Sequence, residues 1–252
     1  YKSINQAPNK QIVLQGGDMY NENKLFAWTD SQGNKYNYGD MYTIPNNNTT
    51  LTAQWIAGNE VTVTNTLPTD STVEFQSMSP SRCLIRYDDN EVVRRNTNAI
   101  STFKKNYSLG THDTTIVSES DDLTNFDNAF DKGTTTKIDC SKVKATYLTS
   151  PMGNGFENIT DFVFPVNLAN ISTSEGVLSG CKKLTNIAFP TVYCDISSPE
   201  SFLANSTFVN GLELPYTLNF VPMVSVDGQT GIEEIKRNEI LKGSHVIGNL
   251  TI

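Results

Sequence analysis

Asp161-Phe162-Val163-Phe164-Pro165, Asn186-Ile187-Ala188-Phe189-Pro190 and Gly211-Leu212-Glu213-Leu214-Pro215 are one phrase written three times. The prolines stand 25 residues apart, from 165 to 190 and from 190 to 215. A fixed period of this length marks a solenoid, in which each repeat is one coil stacked on its neighbours. Solenoids present extended surfaces rather than enclosed pockets, so the first functional expectation is binding or scaffolding.

The register runs beyond the prolines. Six residues after them stand Ile171 and Ile196, then Val177-Leu178 and Phe202-Leu203, then Leu184 and Val209. Ile187 and Phe189 alternate at period two, so both face one side of a short strand. Pro190 has no N–H to give to a ladder and suits the strand's end. A coil of this kind buries about seven apolar side chains at roughly 1.5–3 kcal/mol each. Ordering its backbone costs roughly 1–2 kcal/mol per residue, which is more. One coil therefore does not fold alone, and stacking supplies the rest.

Upstream, Lys137-Ile138-Asp139-Cys140-Ser141 repeats the strand at a spacing of 24, with Ser141 in the proline's place. Leu123, Phe126, Ala129 and Phe130 suggest the aromatic part of an earlier coil, with Thr114-Thr115-Ile116-Val117 as its strand. Val73-Glu74-Phe75, Cys83-Leu84-Ile85 and Val92-Val93 suggest strands of an N-terminal cap. Downstream, the next proline position holds Ile240, and the apolar residues from Val224 to Ile252 fall out of register. A capping segment is expected there.

Leu178-Ser179-Gly180-Cys181-Lys182-Lys183-Leu184-Thr185-Asn186-Ile187-Ala188-Phe189-Pro190 resembles the BspA-type leucine-rich repeat of bacterial surface proteins. That family's coil runs through an apolar pair, a Ser/Gly-Cys turn, a Leu and an Ile-x-apolar-Pro strand. The likeness is specific from about 158 to 215 and weaker from about 114 to 157, departing at Ser206 and Ser141. Leu25-Phe26-Ala27-Trp28, with Tyr36, Tyr38-Gly39-Asp40 and the closing Leu51-Thr52-Ala53-Gln54-Trp55, resembles the Listeria–Bacteroides repeat, a β-grasp-like module of bacterial surface proteins. Ala27 stands where that repeat has glycine. Trp28 and Trp55 are expected to close one small core.

Together the resemblances imply a mainly β chain with short helices: a small β-grasp-like module followed by a leucine-rich-repeat solenoid. The expected division is a module at 1–57, a linker at 58–72 with room for a short strand at 61–63, and a repeat domain with both caps at 73–252. Such repeats also imply a bacterial, non-enzymatic adhesion or recognition protein.

Composition narrows the function classes. A net charge of −8 and a pI near 4.8 argue against nucleic acid as partner, which requires clustered Lys and Arg. No apolar run is long enough to be a transmembrane segment. The chain starts at Tyr1 without Met, as expected after removal of an export signal, which implies an extracellular or cell-surface location. Cys83, Cys140, Cys181 and Cys194 show no CxxC spacing, and buried free thiols are expected, with disulfide pairing left open.

Catalytic and metal motifs are missing. His112 and His245 have no HExxH context, and the adjacent His112 and Asp113 make no triad. The acidic stretch Glu119, Asp121, Asp122, Asp127 and Asp131 fails the EF-hand template at Ala129 and Lys132, and suggests a solvated face. The expectation is no enzyme activity, no cofactor and no metal.

The outward strand positions are the candidate ligand-binding set. Stacking aligns Lys137, Asp161, Asn186 and Gly211 in one row, and Asp139, Val163, Ala188 and Glu213 in the next. The expected partner is a host or bacterial surface protein. Two alternatives remain: a glycan-binding component using Tyr36, Tyr38 and Tyr42, or a structural spacer.

Overall fold

The structure, a computed structural model, describes residues 7–14, 24–37, 39–95, 99–149, 151–172, 176–197, 202–221, 223–226, 233–236 and 241–251. The N-terminal strands are β1 (Gln11–Val13), β2 (Lys24–Thr29), β3 (Lys35–Asn37), β4 (Met41–Thr43) and β5 (Thr52–Ala57). β2 pairs antiparallel with β3 and β5, while β1 and β4 form a separate pair. Phe26 opposes Trp55 and Trp28 opposes Ala53, so the two indoles are diagonal neighbours on one face. The β2–β3 turn is built by Asp30, whose carboxylate accepts the N–H of Gln32 at 2.9 Å and of Asn34 at 2.8 Å.

The segment 58–72, expected to be a linker with at most a short strand at 61–63, instead carries a nine-residue central strand of the largest sheet. In β6 (Asn59–Leu67), Val61, Val63 and Leu67 alternate inward with Thr62, Thr64 and Thr66 outward. That alternation over nine residues is what a half-buried strand requires. There follow β7 (Ser71–Gln76), β8 (Cys83–Tyr87), β9 (Val92–Arg95), β10 (Thr102–Tyr107) and β11 (Gly110–Ser118). β7 pairs with β10, and β6, β11, β8 and β9 lie side by side, all antiparallel. Thr114–Val117, expected as a coil strand, lies within β11 between β6 and β8. The aromatic stretch beyond it holds a 3₁₀ turn at Phe126–Asn128, where Phe126 and Phe130 pack edge to face at 5.2 Å.

β12 (Thr135–Lys142) joins two regimes, antiparallel to β6 on one side and parallel to the first coil strand on the other. Beyond it the chain is a β-solenoid. β13 (Tyr147–Leu148), β14 (Asp161–Val163), β15 (Asn170–Ile171), β16 (Asn186–Ala188) and β17 (Cys194–Ile196) alternate between two flanks. On the near flank β12, β14 and β16 pair in parallel and complete a seven-stranded sheet. β18 (Thr207–Phe208), β19 (Leu212–Glu213) and β20 (Leu218–Phe220) follow, and the far flank pairs β13, β15, β17 and β20. One continuous hydrophobic core runs from Val61 to Leu218, with Phe156, Phe162, Phe164 and Phe202 essentially inaccessible.

The C-terminal segment, expected as a cap out of register, is a further coil in register. After β21 (Met223–Val226) and β22 (Glu233–Lys236), an antiparallel hairpin, come β23 (His245–Val246) and β24 (Leu250–Thr251). β23 lies parallel on β18 and β24 parallel on β19, each 38 residues on (207 to 245, 212 to 250). The hairpin lies in the extra length, which shifts the sequence period without breaking the stack.

A polar ladder in the turns explains why Cys181 and Ser206 are interchangeable. The Cys181 thiol donates to the Gly153 carbonyl, the Ser206 hydroxyl to Leu178 at 2.6 Å, and the Ser244 hydroxyl to Leu203 at 2.5 Å. Each hydroxyl also accepts the equivalent amide of the preceding coil, Cys181 N–H to Ser206 and Ser206 N–H to Ser244. The site asks for a small residue with a donor, and both Cys and Ser qualify. All four cysteines are free and buried. Burial pushes the Cys83 and Cys194 thiols up to about 11 and Cys181 to about 12, which leaves them protonated and unreactive near neutrality.

Candidate functional site

The outer face of the seven-stranded sheet carries the candidate residues. Lys137 stands beside Asp161, and Asp161 beside Asn186; in the next row Asp139, Val163 and Ala188 are neighbours. The rows are held by side chains as well as backbone. Asn186 Nδ2 donates to Asp161 Oδ1 at 2.6 Å, and the Thr160 hydroxyl donates to Asp161 Oδ2 at 2.6 Å. Lys137 Nζ lies 3.9 Å from Asp139.

The face continues onto strands that the repeat pattern does not reach. Lys137 is paired with Thr64, and Thr64 with Asp113, whose carboxylate accepts the Thr64 hydroxyl at 2.7 Å. Thr66 joins Thr111 at 3.3 Å and Thr136 at 3.2 Å in a row of hydroxyls. One polar row thus crosses five strands as Asp113, Thr64, Lys137, Asp161 and Asn186. The alternation of outward threonines with Val61 and Val63 marks β6 as a strand in the sequence, but not its place in this row.

Gly211 and Glu213 do not join these rows. β16 is the last strand of its sheet, and β19 pairs with β24 instead. Between β16 and β19 lies a slot of about 400 Å³, lined on one wall by Ile187 and Phe189 and on the other by Leu212 and Glu213. Ile187 and Phe189 are half-buried, whereas the matching Phe162 and Phe164 are fully buried.

The remaining candidates have local work. His112 Nδ1 lies 2.6 Å from Asp88, its Nε2 faces the Ser108 carbonyl at 2.9 Å, and its ring stacks on Tyr107. Partial burial works to lower the imidazole pKa, but the bonds to Asp88 and Ser108 outweigh it and hold the pKa above its ordinary value. The group pins the β10–β11 turn, and Asp113 points to Thr64 instead.

Most of the acidic stretch is engaged within the chain. Glu119 forms a two-pronged pair with Arg82, which lowers its pKa. Asp121 accepts from Asn59 at 2.7 Å, and Asp127 takes Lys132 and the Asn154 N–H. Asp131 accepts the N–H groups of Gly133 and Thr134. Among the described residues no group of three or more His, Cys, Asp and Glu is disposed to hold a metal ion.

In the N-terminal segment, Tyr36 and Tyr42 pack edge to face at 5.1 Å, and Tyr42 is buried. Tyr38 lies outside the described residues. A polar cleft of about 210 Å³ beside them is lined by Asp30, Gln32, Asn34 and Thr49. The Tyr36 hydroxyl donates to Asp30 at 3.1 Å, so the carboxylate is occupied by its own turn and by Tyr36. No helix among the described residues is long and apolar enough to cross a membrane.

Comparison of the chain with protein-family models, with curated proteins and with solved structures finds no match.

Proposed function

We propose that this chain is a non-enzymatic recognition protein that binds a partner protein through the outer face of its strand ladder. The reading takes the solenoid as a BspA-type leucine-rich repeat and the N-terminal segment as a β-grasp-like module, on an exported bacterial surface protein. What carries it is the row Asp113, Thr64, Lys137, Asp161 and Asn186, a polar strip across five paired strands. A strip of this kind offers donors and acceptors at fixed spacing and supplies specificity in a protein interface.

The test is a binding screen of the full chain against extracellular-matrix proteins, mucin and a glycan panel, with and without calcium. A saturable protein hit weakened by Lys137→Ala with Asp161→Ala supports the reading. A hit indifferent to both substitutions counts against it. The glycan alternative is favoured by the polar cleft beside Tyr36. It predicts a sugar hit lost in Tyr36→Ala and unchanged by the ladder substitutions.

A further inference from the structure

β16 and β19 face each other across the slot, and among the described residues no backbone bond joins them. Among the described residues β16 pairs only with β14, where Asn186 N–H donates to the Thr160 carbonyl at 3.0 Å and Phe164 N–H to the Ala188 carbonyl at 2.8 Å. Backbone groups alternate in direction along a strand, so both groups of Ile187 and the N–H of Phe189 point into the slot. Among the described residues β19 pairs only with β24, through Leu212 N–H to Asn249 at 2.8 Å and Leu214 N–H to Thr251 at 3.0 Å. Both backbone groups of Glu213 are thereby turned toward β16. A closed ladder at the 25-residue register (187 to 212) would join Glu213 N–H to the Ile187 carbonyl and Phe189 N–H to the Glu213 carbonyl. Neither bond exists among the described residues.

The slot is framed by closed structure. At one end Leu184 bridges Phe208, with Val209 N–H donating to the Leu184 carbonyl at 2.7 Å. On the far flank β17 and β20 pair across three residues of each strand. Gly211 stands at the opening. Its φ is +88°, and a Cβ there would lie 2.5 Å from the Asn249 carbonyl oxygen, so its backbone seats directly on the last coil. That contact lies on the β24 side of β19, away from the slot.

We propose that the slot takes an extended segment of a partner polypeptide, added as a strand between β16 and β19. The proposal deepens the protein-recognition reading and rests on it. Donors and acceptors at strand spacing on both walls are matched by another extended backbone. Half-buried Ile187 and Phe189 favour a small apolar side chain against them. Glu213 is the one charged side chain among the described residues lining the slot, so the segment carries Lys or Arg beside it.

The probe is a short, capped, fluorescein-labelled peptide in which valine alternates with threonine around a central lysine, added to the full chain. In the free protein the amides of Ile187, Phe189 and Glu213 exchange fast with solvent while those of Ala188 and Leu212 exchange slowly, and the peptide protects the first set. Ile187→Pro deletes the slot-facing N–H and none given to β14, and weakens binding about tenfold. Glu213→Lys weakens the lysine peptide and favours its glutamate counterpart. Slow exchange at Ile187 and Glu213 in the free protein overturns the proposal, as does undiminished binding of a peptide N-methylated along its backbone. A concentration-dependent dimer that protects the same amides assigns the slot to a second copy and overturns it too. Partner binding lost in the Lys137 and Asp161 variants but kept in Ile187→Pro and Glu213→Lys leaves the face reading standing without the slot.

Discussion

The same coils build two flanks, and only one stays closed. On the far flank β13, β15, β17 and β20 pair in unbroken succession. On the near flank β12, β14 and β16 pair, and then β19 leaves the series for β24. Both flanks use the same cross-coil device: Asn219 donates to Asp195 at 2.7 Å on the far side, as Asn186 donates to Asp161 on the near side. The near row then reaches Gly211, which has no side chain to continue it and a backbone bent at φ +88°. Coils are therefore coupled bond by bond, and one flank opens while the other holds.

The largest effect that sharpens this contrast is core truncation. Phe162→Ala, in the closed part of the ladder, is expected to cost about 3–5 kcal/mol in urea unfolding. Phe189→Ala, on the slot wall, should cost less than half as much; equal losses would mean that the slot is shut in solution. Gly211→Ala comes next, at about 1–3 kcal/mol from the left-handed backbone and the Asn249 contact. A neutral result there would count against the close seat of Gly211 on Asn249.

Ser206→Ala removes a buried hydroxyl that serves two backbone groups, and thermal unfolding should show a loss of about 1–3 kcal/mol. Ser206→Cys should lose less, because Cys181 fills the same role one coil earlier. The smallest effect belongs to His112, in the antiparallel region. Its raised pKa means that the stabilisation is full below the unfolded imidazole value of about 6.5 and is lost as pH rises through the folded value. Unfolding midpoints compared across that window should fall with rising pH in the native chain and change less in Asp88→Asn.

Legibility followed how local each cause is. The coil strands around Phe162 and Ile187 announced themselves, because alternating apolar residues and a terminal proline are local features. The strand at 59–67 carried an equally local alternation, yet its place between β11 and β12 depends on pairings 45 to 70 residues away. The candidate rows were readable as far as Asn186. Their extension to Thr64 and Asp113 was hidden, because antiparallel partners do not share the repeat's period. The last coil escaped for a related reason: the hairpin of β21 and β22 displaced Leu250 from the expected position although its packing partner is Leu212.

By itself, then, the sequence determined that coils of about 25 residues stack, that Ile171, Leu178, Ile196 and Leu203 face the core, and that Cys and Ser share one turn position, while it placed Val209 where the structure buries Phe208. Those follow from side-chain period and chemistry, which act within one coil and its neighbour. The tertiary structure alone decided that antiparallel strands merge into the near flank, that the chain returns to register after its hairpin, and that the ladder parts between Ile187 and Glu213. Each of these depends on which distant backbone a strand pairs with, and that choice is made by long-range hydrogen bonding.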